Sequence, residues 1–93
     1  MRSQRLITRS YVLGENDCGY MIEYYLCSQM QGGNIVYGIT INEHSSEDME
    51  SRTELFEQSE SAVVEIIHLF AGNFVFACSL SDLIYEYRRH GSF

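Results

Sequence analysis

The chain has 93 residues, 45% of them hydrophobic and 13% aromatic, with thirteen acidic against six basic residues and a formal charge of −7. That content is too apolar for a disordered chain and too short for two cores. It is also too acidic for direct binding to nucleic acid, where affinity rests on cations that displace the counterions of phosphate.

One domain over residues 1–93 is therefore expected, with a modest core that homodimerisation would naturally supplement. The three cysteines, Cys18, Cys27 and Cys78, are odd in number and widely spaced, which is neither a disulfide framework nor a zinc pattern. Reduced thiols and a cytoplasmic location follow as expectations. No apolar stretch has the length of a signal peptide or a membrane span, so no membrane partner is expected.

Residues 6–13 are rich in β-branched and aromatic side chains and predict a first strand. The turn formers of residues 14–19 then separate it from a second strand beginning at Tyr20. Gln31-Gly32-Gly33-Asn34 predicts a two-residue hairpin turn, because such turns need positive φ and glycine adopts it at no steric cost. That turn fixes the register, with Met30 opposite Ile35, Leu26 opposite Ile39 and Tyr24 opposite Ile41. One face becomes Ile22, Tyr24, Leu26, Met30, Ile35, Tyr37, Ile39 and Ile41, the expected core. Its reverse carries Met21, Tyr25 and Val36 among polar residues, a mixture suited to an interface, and these three are the expected dimer contacts.

Residues 45–51 read as an exposed connection and residues 52–58 as a short edge strand. From Ser59 the period changes, since Val63, Ile66, Ile67 and Phe70 fall at i, i+3, i+4 and i+7 of an amphipathic helix. Ser59 or Ser61 suits its cap, and Gly72-Asn73 predicts a left-handed stop. Ser79 and Asp82 have capping-box spacing before Leu80, Leu83, Ile84 and Tyr87, which predicts a second, shorter helix ending in Arg88-Arg89. His90, close to the C-terminus, is expected to be disordered. The expected class is α+β: an antiparallel meander of three to four strands with one long and one short C-terminal helix packed on one face.

Tyr37-Gly38-Ile39-x-Ile41, the acidic connection, the helix with Val63, Ile66 and Ile67, and Leu80-x-Asp82-Leu83 resemble a family of short uncharacterised bacterial proteins carrying a domain of unknown function. The resemblance covers about residues 35 to 86 and implies no activity. In that family a proline commonly precedes the last helix, where this chain has Phe76-Ala77-Cys78.

Charge is the feature that bears on function. Between Glu43 and Glu60 stand seven carboxylates and one cation, Arg52. Every cation in the chain is arginine, and Arg2, Arg5 and Arg9 share a segment without acids. The expectation is a non-catalytic, acidic protein-interaction module whose Glu43, Glu47, Asp48, Glu50, Glu54 and Glu57 dock on a basic surface of a partner protein. Its sharper form is an inhibitor that imitates DNA in the cationic channel of a nuclease, as anti-CRISPR proteins do. The competing expectation is a small metal- or thiol-dependent enzyme or sensor using Cys18, His44 or Cys78. Glu43, His44, Glu47, Asp48 and Glu50 have hard-cation character but no motif spacing, so no metal and no cofactor is expected.

Overall fold

The computed structural model describes residues 2–13, 19–45 and 48–91. Four strands, β1 (Arg2–Leu13), β2 (Gly19–Gln31), β3 (Asn34–His44) and β4 (Met49–Phe56), form an antiparallel sheet in the order β1-β2-β3-β4. Helix α1 (Glu60–Gly72), a single 3-10 turn (Ala77–Ser79) and helix α2 (Leu80–His90) follow and cover one face. The α+β meander with one longer and one shorter C-terminal helix is thus the architecture of the protein.

Gly32 and Gly33 have φ of 57° and 84° and close the β2–β3 hairpin. The pairing runs from Gln31 opposite Asn34 to Met21 opposite His44, the register that the diglycine turn dictates. Ile22, Tyr24, Leu26, Ile39 and Ile41 therefore enter the core, where they meet Val63, Ile66, Ile67 and Phe70 of α1 and Leu80 and Ile84 of α2. Polar contacts lock the layers together. The buried Tyr24 hydroxyl donates to the Val75 carbonyl at 2.9 Å, and Ser10 donates to the Ala71 carbonyl at 3.1 Å. Ser59 caps α1 by accepting the Ala62 N–H.

Several local expectations are corrected. Strand β1 begins at Arg2 rather than at residue 6, and β4 begins at Met49, inside the stretch read as a connection. Pairing with β2 and β3 gives those polar residues hydrogen-bond partners that local propensity does not reveal. A register shift between Leu6 and Thr8 leaves Ile7 an extra residue, and Ile7 packs against the core. Met30 and Ile35 lie on the core face, yet they are 48% and 55% exposed. The strands outrun the helical layer there, since a strand advances about 3.3 Å per residue and a helix only about 1.5 Å.

The helix termini also differ. Ser79 makes no side-chain capping bond, Asn73 has φ of −107°, and the positive φ falls instead on Phe74 at 51°. His90 belongs to α2, where its Nε2 stands 3.1 Å from Glu86. The left-handed residue that stops α2 is Gly91.

Candidate protein-interaction surfaces

The sheet separates two sides of unlike chemistry. Alternation along β3 and β4 turns Glu43, Glu50 and Glu54 toward the helical layer, because Glu43 pairs with Glu50 and Glu54 with the core residue Ile39. Glu43 is half-buried and accepts the backbone N–H of Ala77 at 3.3 Å, satisfying the start of the turn before α2. Glu54 accepts from the Ser81 hydroxyl at 2.8 Å, and Glu50 pairs with Arg52 at 3.1 Å. Glu60 lies 3.6 Å from Arg5 of β1. Asp48 and Glu57 are exposed at the ends of β4. Glu47 lies outside the described residues. The six carboxylates expected to bind a partner thus have different duties, and Glu43 chiefly holds the fold.

On the helix-free face the register sets four-residue rungs across the sheet. Tyr11, Met21, His44 and Met49 form one, and Arg9, Glu23, Asn42 and Ser51 form the next. Within these rungs Glu23 is buried, receiving the Arg9 Nε at 3.2 Å and standing 2.7 Å from the His44 Nε2. Burial pushes the Glu23 carboxyl upward, but the hydrogen bonds and charges of His44 and Arg9 outweigh it and hold the group below its usual value. Farther along, Gln4 donates to the Thr40 hydroxyl, which lies 2.8 Å from that of Thr53. Ser51 donates to Asn42 at 2.6 Å. Met21, Tyr25 and Val36, the expected dimer contacts, are half-buried here, and Cys27 is buried beside Gly38.

The two described residues of the enzymatic expectation are not brought together. His44 is on the helix-free face with Glu23, whereas the exposed Cys78 sits in the 3-10 turn on the opposite side. Cys18 lies outside the described residues. Among the described residues no group of three or more His, Cys, Asp or Glu stands close enough to hold a metal ion. None of their helices is long and apolar enough to cross a membrane.

The Glu23–His44 contact was implicit in the hairpin register, which puts Glu23 opposite Asn42 and His44 two residues on, on the same face. Arg9 was not, since its place depends on the bulge at Ile7. A family model described as a family of unknown function (DUF6514) matches residues 3–90, extending the resemblance over nearly the whole chain. No curated protein and no solved structure matches it.

Proposed function

We propose that this chain, which belongs to the family of unknown function DUF6514, is a non-catalytic interaction module that presents its acidic, helix-bearing side to a basic surface of another protein. One observation carries the reading. Setting aside Glu15, Asp17 and Glu47, which lie outside the described residues, ten acidic residues remain, and of the four within the paired strands Glu23 alone projects from the helix-free face. The others line β3 and β4 on the helix side, the ends of β4, or the two helices. Asp48, Glu57, Glu65 and Asp82 are exposed there.

Charge gathered on one side of a molecule steers association with a cationic patch more strongly than the same charge scattered. A nucleic-acid-binding protein is one natural bearer of such a patch, and the module would then act as an inhibitor competing with nucleic acid for it. Affinity capture from a host lysate, with the bound protein eluted over a salt series, tests the reading. Binding that weakens steeply with salt, and that Asp48→Asn with Glu57→Gln and Glu65→Gln weakens further, supports it. Affinity unchanged from low to high salt overturns it.

A further inference from the structure

We propose that the helix-free face of the sheet seats a second copy of this chain, the two sheets packing face to face as a homodimer. Two copies that each carry −7 approach most readily through a surface without net charge. Among the described side chains that this face presents, the charged residues are Arg9 and Glu23, and they pair with each other. His44 adds a further hydrogen bond to the same carboxylate. The described side chains of this face thus carry balanced charge on a strongly acidic molecule, and it is where like-charged copies meet at least cost.

The face is also built to be covered. Its polar groups are bonded laterally, through the Arg9–Glu23–His44, Gln4–Thr40–Thr53 and Asn42–Ser51 links, so that a covering layer takes few of them from their partners. No buried side-chain nitrogen or oxygen among the described residues lacks a hydrogen-bond partner. The same face leaves apolar side chains in solvent at one end, where Tyr11 is 72%, Leu13 85% and Met49 61% exposed around Met21. Tyr25 and Val36 continue the apolar content along it.

Its size fits the occupant. Four strands spaced about 4.8 Å, and pairing over roughly 35 Å of strand length, give a face of about 600 to 700 Å² in projection. A stable interface takes about 800 Å² of accessible surface from each partner, which a corrugated face of that projection supplies. Two twisted sheets stack in this way with their strands about 30° apart. The proposal is independent of the acidic docking surface, which lies on the other side.

Sedimentation equilibrium of the full chain over a salt series tests it. The expected result is a dimer whose affinity holds or rises with salt, because screening removes the repulsion between the two acidic copies. That response is opposite in sign to the one expected for a basic partner protein. Tyr11→Glu combined with Met49→Glu changes two exposed side chains, and circular dichroism verifies that the fold persists. This variant should weaken dimerisation at least tenfold, while Leu69→Glu on the exposed side of α1 leaves it unchanged. A chain that stays monomeric at every concentration and salt overturns the proposal. So does a dimer that survives the double substitution, or one that Leu69→Glu dissociates.

Discussion

Leu55 of β4 lies so close over Gly38 of β3 that a Cβ built on residue 38 would stand 2.8 Å from the Leu55 Cα, and it would also meet the Glu54 carbonyl. The obstacle is mainly backbone, which cannot swing aside as the end of a flexible side chain can. Gly38→Ala should therefore destabilise the protein by about 1 to 3 kcal/mol, the usual range for forced overpacking. Urea unfolding measures it, and a midpoint equal to that of the parent chain would show that β3 and β4 can part there without loss.

The carboxylate of Glu43 holds the Ala77 N–H, joining the end of β3 to the turn before α2. Glu43→Ala should cost about 1 to 2 kcal/mol, the range for losing a backbone cap, and Glu43→Gln less, because the amide oxygen still accepts. Thermal melts of the pair separate a fold-holding role from an intermolecular one. If Glu43 served only a partner, both variants would melt with the parent.

Acid stability should depend on Glu23. Its carboxyl is held below the ordinary 4.5 in the folded protein, so the folded state parts with the proton more readily than the unfolded state does. The stabilisation is present above about pH 4.5 and is lost as pH falls through the lower folded value. Glu23→Gln should destabilise the protein near neutrality and flatten the acid limb of stability against pH. An acid limb as steep as the parent's would assign that limb to other carboxylates.

Alkaline titration should single out Tyr24. Burial pushes its phenol up to about 12, the Glu43 carboxylate adds to the rise, and the Ser10 hydroxyl opposes it. Since the folded value is raised, the stabilisation is complete below pH 10 and is lost as pH rises through about 12. Tyrosinate absorbance should show a late ionisation that is missing in Tyr24→Phe. That variant should also lose about 1 kcal/mol, because the Val75 carbonyl loses its donor.

The hairpin and its inward residues were readable because the diglycine turn and the alternation agree on one register, and a slip of one residue would turn the core outward. Helix α1 was readable for the same kind of reason, its apolar spacing being local. Strand β4 was only half readable, since Met49, Glu50 and Ser51 have no strand signature and are extended because β3 offers them hydrogen bonds.

What separated at the level of tertiary structure is the charge. The sequence dictates an acidic chain with seven carboxylates between residues 43 and 60, and nothing local distinguishes Glu43 from Asp48. Packing does distinguish them, by placing Ala77 against the first and leaving the second in water. The charge pairing on the helix-free face has the same origin, because Arg9 reaches Glu23 only through the β1–β2 pairing and its bulge. Composition and periodicity are sums over neighbours along the chain, whereas the pairing of opposite charges depends on distances that exist only once the strands are side by side.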